Sequence, residues 1–268
     1  MSNQHAAFVG SIPENYDLYL GPCLFASYAN DIAQRVTVSD KASVLEIACG
    51  TGIVTRQLRS KLPRSVRIIA TDLNEAMLSY AAAKFGPDDS VEWKQADATS
   101  LPFADSSFGA VVCQFGLMFF PDKFAAVREV RRVLAPGGQY VLNVWDSLER
   151  NELAQVANNT MTRFFEDSPP TFYQVPFGLY ETEVVTGMLK DAGFDAIEVS
   201  VLSKDAISPS AADITKGLIE GNPIIAEIRQ RATADVETIK AAVAKAISDR
   251  FGDKPVRSNM QAMVFSAR

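Results

Sequence analysis

The segment from Val44 to Thr55 constrains the fold more than any other part of this chain. It predicts a buried strand, a glycine-containing turn and a helix in immediate succession. A short apolar run at its start is typical of a parallel strand buried on both faces, and apolar residues recur at helical spacing from Ile53 onward. Gly50 and Gly52 lie at the junction. Because glycine allows unusual backbone angles and a helix N-terminus is partly positive, this turn is suited to hold a ligand.

The spacing of the glycines disfavours a dinucleotide site. The dinucleotide fingerprint places a third glycine three residues after the second, and here that position is Thr55. An acid, Glu46, followed by Ala48-Cys-Gly-Thr-Gly52 instead resembles motif I of the class I S-adenosylmethionine-dependent methyltransferases, usually [DE]-x-G-x-G-x-G. Ala48 stands where that family has its first glycine. A nicotinamide-dependent oxidoreductase stays the less favoured alternative, and binding assays with both cofactors would separate the two.

Two further acids follow predicted strands. Asp72 ends a strand over 66–71, about 20 residues beyond the turn, where an acid can accept hydrogen bonds from both hydroxyls of a ribose. Asp97 follows a strand over 91–95, and the resemblance implies that it binds the amino group of adenine. Since ligands of open parallel sheets bind at the carboxyl ends of the strands, these acids and Glu46 point to one crevice.

The middle of the chain narrows the resemblance. The segment 101–108, Leu-Pro-Phe-Ala-Asp-Ser-Ser-Phe, and the step Phe-Gly-Leu at 115–117 resemble the ubiquinone and menaquinone C-methyltransferase-like branch, also called methyltransferase type 11. Gly109 stands where that branch usually has Asp. The run Arg-Val-Leu-Ala-Pro-Gly-Gly at 132–138 is another recurrent feature of these enzymes. The resemblance covers residues 40–146 and implies S-adenosyl-L-methionine as the cofactor.

The predicted cofactor site combines these positions with their neighbours. Aromatic rings of the N-terminal segment are included because they can attract the charge of a sulfonium. The predicted cofactor-binding residues are Glu46, Ala48, Cys49, Gly50, Gly52, Asp72, Leu73, Met77, Asp97, Ala98, Gln114 and Phe115, together with Tyr19 and Phe25.

The sequence predicts no catalytic residue and no metal. His5 is the only histidine and lies in an N-terminal segment expected to be mobile. Tyr16, Asp17 and Tyr173 are conceivable bases that no pattern supports. No cluster of histidines and cysteines suggests a metal site, although a magnesium site made of aspartates alone stays open.

Seven strand segments interleaved with helices predict an α/β fold, a Rossmann-like doubly wound and mostly parallel sheet. The resemblance implies the strand order 3-2-1-4-5-7-6, with the last strand antiparallel. Asn74 and Asp122 are predicted helix N-caps. The aromatic residues Phe172, Tyr173 and Phe177 suit either a substrate wall or plain core. We divide this single domain into an N-terminal helical lid at 1–38, a cofactor-binding core at 39–146, a cap insertion at 147–192, and a C-terminal part of the sheet at 193–268 with a helical insertion at 208–252.

Composition indicates the setting. The chain has 268 residues, of which 47% are hydrophobic and 22% charged, so it can bury a substantial core. A net charge of −6 without a dense basic run argues against a nucleic-acid partner. The three cysteines form no disulfide pattern, and no leader or membrane span is evident, which favours the cytoplasm. We expect a small-molecule acceptor and a monomer or homodimer.

The predicted function is transfer of a methyl group from S-adenosylmethionine to a carbon, oxygen or nitrogen nucleophile by in-line displacement. Such a reaction needs alignment and exclusion of water more than a dedicated catalytic motif. Two alternatives stay open. One is a non-catalytic binding protein with a methyltransferase-like fold. The other is a different S-adenosylmethionine-dependent reaction, such as aminopropyl transfer or cyclisation.

Overall fold

The computed structural model describes residues 4–166 and 168–268, and a seven-stranded sheet runs through its centre. The strands are β1 (Ser43–Ile47), β2 (Arg67–Asp72), β3 (Val91–Gln95), β4 (Phe108–Gln114), β5 (Leu134–Trp145), β6 (Ile197–Ser208) and β7 (Val256–Ala267). Their order is β3-β2-β1-β4-β5-β7-β6. Strands β1 to β5 are parallel, and β7 is antiparallel to both of its neighbours. The predicted fold class and strand order are therefore confirmed.

Helices cover the two faces of the sheet. They are α1 (Ile12–Asn15), a π-helix (Tyr16–Phe25), α2 (Ala26–Arg35), α3 (Ile53–Lys61), α4 (Glu75–Ala83), α5 (Lys123–Val133), α6 (Glu152–Met161), α7 (Thr182–Asp191), α8 (Ala211–Glu220), α9 (Ile224–Arg231) and α10 (Val236–Phe251). Successive residues of a buried strand face opposite sides. Val44 accordingly packs with Ile32 and Leu58, whereas Leu45 belongs to the apolar cluster that contains Val127.

The N-terminal lid differs from its predicted form. The apolar spacing of Phe25, Tyr28, Ile32 and Val36 predicts a helix in the second part of the segment 1–38. The chain is instead helical from Ile12 to Arg35, and Val36 is extended. The π-helix contains Pro22, and the backbone N–H of Ala26 bonds to the carbonyl of Gly21 at its end. A proline cannot donate within a helix and crowds the preceding turn, so the wider π-turn accommodates it.

The helical insertion in the C-terminal part also has different bounds. Strand β6 continues through Ser208, because it pairs with β7 as far as the partners Ser208 and Val256. The first helix of the insertion therefore begins at Ala211, with Ser210 as its N-cap, and not at the predicted Ser208-Pro209. Three helices, α8 to α10, replace a single helical stretch.

The two predicted N-caps have different outcomes. The Asp122 carboxylate accepts a hydrogen bond from the backbone of Ala125, 2.8 Å away, and this cap is confirmed. Asn74 occupies the N-cap position of α4 but its side chain does not cap the helix. Its Nδ2 donates to Asp72 Oδ1 at 3.4 Å.

None of the helices in residues 4–166 and 168–268 has the combination of length and apolarity that crossing a bilayer requires.

Candidate functional site

The turn after β1 has an unusual backbone. Ala48, Gly50 and Gly52 have φ angles of +52°, +55° and +79°, all in the left-handed region. Glycine adopts this region without a steric penalty, which explains why glycines recur here. Ala48 adopts the same conformation with a side chain, at the position where the family it resembles has glycine. The turn is tied to β2 by a 2.9 Å hydrogen bond from the Cys49 N–H to the Thr71 carbonyl.

Asp72 organises the carboxyl end of β2. Its Oδ2 accepts a hydrogen bond from the Gly50 N–H, and its Oδ1 accepts one from the Asn74 N–H, both at 2.8 Å. The residue is only 7% exposed, and burial raises the pKa of its carboxyl while these hydrogen bonds oppose the shift. One side chain thus holds the turns after two neighbouring strands together.

Asp97 lies beyond the end of the next strand. Because β2 and β3 pair in parallel with Asp72 opposite Gln95, the two aspartates lie at the same edge of the sheet. Asp97 Oδ1 accepts hydrogen bonds from both the N–H and the hydroxyl of Thr99, each at 2.8 Å. These bonds orient the side chain and do not use its Oδ2.

Glu46 lies deeper than the sequence predicts. Its side chain is 1% exposed, and its Oε2 accepts a 2.6 Å hydrogen bond from the Thr55 hydroxyl in α3. Burial raises the pKa of Glu46 to about 8, the Thr55 bond lowers it, and the charge of Asp72 raises it further. Glu46 therefore links β1 to α3 as a protonated acid at neutral pH.

This protonation predicts a pH-dependent stability. In the unfolded chain Glu46 releases its proton near its ordinary pKa of 4.5, whereas in the folded protein it keeps it to about pH 8. The folded state binds more protons within that window, so we expect the free energy of unfolding to fall as pH rises, by at most about 1.4 kcal/mol per pH unit from this group. Urea denaturation from pH 5 to 8.5 measures it. Glu46→Gln, which cannot ionise, should show a shallower slope, and an unchanged slope would exclude this origin.

A cavity of about 490 Å³ lies at the carboxyl ends of the parallel strands. One half is formed by the strand ends and their turns. It is lined by Ile47, Ala48, Gly50, Thr71, Asp72, Leu73, Asn74, Met77, Ala96, Asp97, Ala98, Gln114, Phe115 and Gly116. The other half is formed by the lid, the loop after β4, the end of β5 and the insertions. It is lined by Ala6, Ala7, Phe8, Tyr16, Leu20, Leu24, Phe25, Met118, Phe119, Phe120, Pro121, Trp145, Ala154, Phe172, Tyr173, Pro176, Phe177, Leu218, Asn222 and Met260.

The second half, together with the ring of Phe115 at the border of the first half, forms an aromatic wall. The ring of Phe115 stacks on Trp145 with centroids 3.8 Å apart, and Tyr16 stacks on Phe25 at 4.7 Å. Tyr173 and Phe177 are parallel at 6.3 Å. Among the described lining residues the carboxylates are Asp72 and Asp97, and no lysine or arginine is present. The cavity therefore combines a negatively charged end with an uncharged aromatic end.

Ten of the predicted cofactor residues line this cavity. They are Phe25, Ala48, Gly50, Asp72, Leu73, Met77, Asp97, Ala98, Gln114 and Phe115. Their binding roles stay predictions, but the structure brings them together. Gln114 is positioned by a 3.4 Å bond to the Phe25 carbonyl, and the Phe115 N–H donates to Asn143 Oδ1 at 2.9 Å.

Four predicted residues do not line the cavity: Tyr19, Glu46, Cys49 and Gly52. Glu46 is occupied by Thr55, and Cys49 is buried behind the turn. A side chain at Gly52 would meet Phe85 and Ala81, so this glycine allows close packing on α4, and its role toward the cofactor stays a prediction.

Tyr19 points away from the cavity because its helical phase differs from that of Tyr16 and Leu20, which line it. Its hydroxyl is 3.3 Å from Lys216 Nζ in α8. The sequence missed Trp145, although it follows the rule for strand ends, and it missed Phe8 and Asn222, for which it offers no signal.

The aromatic residues left open between wall and core serve both purposes. Phe172, Tyr173 and Phe177 are at most 7% exposed and also line the cavity. The Tyr173 hydroxyl donates to the Leu218 carbonyl at 3.1 Å, which fixes the loop against α8.

Two phenols that line the cavity, those of Tyr16 and Tyr173, are uncharged at neutral pH. Burial raises the pKa of Tyr16 far above its ordinary value, with further contributions from Asp72 and Asp17, and burial likewise raises the pKa of Tyr173. Both phenols stay protonated at neutral pH.

His5 lies outside the lining, with Nε2 3.2 Å from Thr171 Oγ1. Within residues 4–166 and 168–268, no three histidine, cysteine or acidic side chains are grouped to hold a metal ion.

Part of this chain is similar in sequence to known methyltransferases. Residues 44–138 match the methyltransferase-domain family. A ubiquinone/menaquinone biosynthesis C-methyltransferase of Hahella chejuensis is 40% identical over 104 residues, which cover 38% of this chain and 42% of that protein. A protein of the same name from Klebsiella pneumoniae is 28% identical over 186 residues, covering 62% of this chain and 71% of that protein. The match to the first relative thus spans less than half of its length.

The fold is shared along the whole chain. A phosphoethanolamine N-methyltransferase of Haemonchus contortus, solved in complex with S-adenosyl-L-methionine, superimposes with a TM-score of 0.61 at 18% identity. That match covers 100% of this chain and 60% of the Haemonchus protein. The similarity at this identity concerns the architecture.

Proposed function

We propose, on the premise that residues 44–138 form a class I methyltransferase domain that uses S-adenosylmethionine, that this chain methylates an uncharged aromatic small molecule. The observation that carries the proposal is the division of the cavity into an acidic end at the strand tips and an uncharged aromatic end. An unpaired charge in the aromatic end would lose its hydration without gaining a partner, which costs several kcal/mol. A flat apolar acceptor fits that end best.

The acidic end suits the cofactor. Asp72 Oδ2 accepts one hydrogen bond, from the Gly50 N–H, and retains a further lone pair for a ribose hydroxyl, whereas Oδ1 accepts from both the N–H and the Nδ2 of Asn74. Asp97 Oδ2, which Thr99 does not use, can accept a hydrogen bond from an adenine amino group. Met77 supplies apolar contact for the base, and Gly50 leaves the space around its Cα open. The two carboxylates also complement a positive sulfonium.

The chain contributes positioning and exclusion of water. When bound, S-adenosylmethionine supplies a methyl group on a positively charged sulfur, and the C–S electron pair stays with that sulfur as a neutral thioether. The stacked rings of Phe115, Trp145, Phe25 and Tyr16 shield the cavity from water and hold a planar acceptor in one orientation. Since Tyr16 keeps its proton, we propose an electron-rich ring as the nucleophile, without an ionised tyrosine as base.

The names of the curated relatives agree with such an acceptor. They are named as C-methyltransferases of ubiquinone and menaquinone biosynthesis, and we propose a phenol or hydroquinone ring as the acceptor of this chain. The reaction would form a bond between the methyl carbon and a ring carbon or oxygen, and the displaced proton would pass to solvent.

A methylation assay with labelled S-adenosylmethionine tests this proposal. We expect 1-naphthol to be methylated at least about tenfold faster than 1-hydroxy-2-naphthoic acid, because the carboxylate of the acid finds no cation in the aromatic end. Equal rates, or preferential methylation of a charged amine such as phosphoethanolamine, would contradict the uncharged acceptor. Tight binding of S-adenosylmethionine with no methylation of neutral aromatic compounds would favour the non-catalytic alternative.

We further propose that the protein works in the cytoplasm, as a monomer or homodimer, and without a nucleic-acid partner. Cys23, Cys49 and Cys113 are buried free thiols, as expected in a reducing compartment, and the net charge of −6 disfavours nucleic acid. Light scattering coupled to gel filtration measures the oligomeric state.

A further inference from the structure

Asn222 stands out among the residues of the aromatic end. It lies in the turn between α8 and α9, directly before Pro223, and is 8% exposed. It lines the cavity. Of the described lining residues that follow Trp145 in the chain, Tyr173 and Asn222 carry the polar side-chain groups, and the others are apolar.

The orientation of the Asn222 amide is determined by its neighbours. Nδ2 lies 3.1 Å from the Leu218 carbonyl oxygen and 3.4 Å from that of Gly217, near the C-terminal end of α8. Because a carbonyl oxygen accepts and cannot donate, the opposite orientation of the amide would place oxygen against oxygen. The NH₂ group therefore faces the helix, and Oδ1 is left for the cavity side.

Oδ1 has no donor within the described part of the chain. The neighbouring hydroxyl of Tyr173 already donates to the Leu218 carbonyl at 3.1 Å, so it does not serve Asn222. Oδ1 is not among the fully buried side-chain atoms that lack a partner, so it keeps some accessible surface, and a ligand or water can supply its donor. Because the lining residues after Trp145 are apolar apart from Tyr173 and Asn222, a ligand that brings its own donor to Asn222 gains the most there.

We propose that Asn222 is a positioning residue, whose Oδ1 accepts a hydrogen bond from a hydroxyl or N–H group of the methyl acceptor. This inference rests on the proposed function and specifies how the acceptor is oriented. An acceptor with a free hydroxyl leaves no polar atom unsatisfied, whereas its methyl ether places an apolar group against Oδ1. Asn222 thereby selects hydroxyl-bearing or N–H-bearing acceptors and fixes which ring edge faces the acidic end.

Binding calorimetry on the complex with S-adenosylhomocysteine tests the proposal without requiring turnover. The probes are 1-naphthol and its methyl ether, 1-methoxynaphthalene. We expect the wild type to bind the naphthol about 3- to 10-fold more tightly than the ether, as a single hydrogen bond allows. In Asn222→Leu this ratio should fall to about one, with unchanged affinity for S-adenosylhomocysteine.

Two further variants separate positioning from helix capping. Ser210→Ala removes the N-cap at the other end of α8 and does not touch the cavity, so it should lower the melting temperature and leave the probe ratio unchanged. Asn222→Ser keeps a hydroxyl that can donate to a helix carbonyl but loses the amide oxygen, and it should lose the ratio while folding normally.

The outcomes are distinguishable from failure of the proposed function. If the wild type binds both probes equally, or if the Asn222 variants keep the wild-type ratio, Asn222 is a helix cap and the positioning role is overturned. If the wild-type complex binds neither probe, the aromatic acceptor itself is refuted, and the positioning role is refuted with it.

Discussion

Asp72→Ala is expected to weaken binding of S-adenosylmethionine by about 1.5–3 kcal/mol, or about 10- to 150-fold in affinity. Two effects contribute. The carboxylate is the predicted acceptor for the ribose hydroxyls, and it also holds the N–H groups of Gly50 and Asn74 at 2.8 Å. Its removal leaves both turns without their shared acceptor. Isothermal titration calorimetry with S-adenosylmethionine measures the loss.

The control for Asp72 is an acid away from the cavity. Asp105 is an exposed aspartate that pairs with Arg132 at 2.7 Å. Asp105→Asn removes the same charge and should change the affinity for S-adenosylmethionine less than about twofold, since exposed ion pairs are weak and screened. Retained affinity in Asp72→Ala, or an equal loss in both variants, would remove Asp72 from the binding site.

Gly52→Val is expected to destabilise the fold by about 2–5 kcal/mol and to abolish cofactor binding as a consequence. Gly52 has a φ of +79°, which a β-branched residue strongly disfavours. A Cβ at this position would lie 3.1 Å from the ring of Phe85 and 3.3 Å from the Cβ of Ala81. The added side chain would therefore push α4 away from the turn. Urea denaturation and calorimetry measure the two effects.

Gly50→Ala is the matched variant for this turn. Gly50 has a similar φ of +55°, but no atom lies within 4 Å of the position that a Cβ would take, and the residue lines the cavity. We expect a stability loss of only about 1–2 kcal/mol from the backbone, together with a loss of cofactor affinity because the methyl group projects into open space at the site. Normal stability of Gly52→Val would contradict the packing role, and normal binding by Gly50→Ala would contradict close approach at Gly50.

Local patterns were sufficient wherever adjacent residues decide the structure. The strand before Ala48 and the helix after Gly52 are encoded by apolar spacing and backbone freedom, and Asp122 caps its helix through a bond to a residue three positions away. The predicted ends of helices and strands were wrong where pairing with a distant part of the chain sets them. Strand β6 extends to Ser208 because β7 supplies partners as far as Val256, 48 residues later in the chain.

The site shows the same distinction. Asp72 and Asp97 were predictable because parallel strands bring their carboxyl ends to one edge. The sequence did not predict how deeply each of the acids is buried. Glu46 and Asp72 both lie in the last two residues of a buried strand, yet Glu46 faces Thr55 inside the protein and Asp72 faces the cavity. The alternation of side chains and the position of α3 decide this difference.

The amino-acid sequence alone determined the parallel α/β sheet, the glycine turn and the acids at its edge, because these depend on short-range periodicity and backbone preference. The tertiary structure alone decided which residues form the aromatic end. Phe8, Trp145, Phe172 and Asn222 come from four separate segments and meet only when the lid and the insertions pack over the strand tips. No local rule relates residues so far apart in the chain, since their contact depends on how whole helices pack.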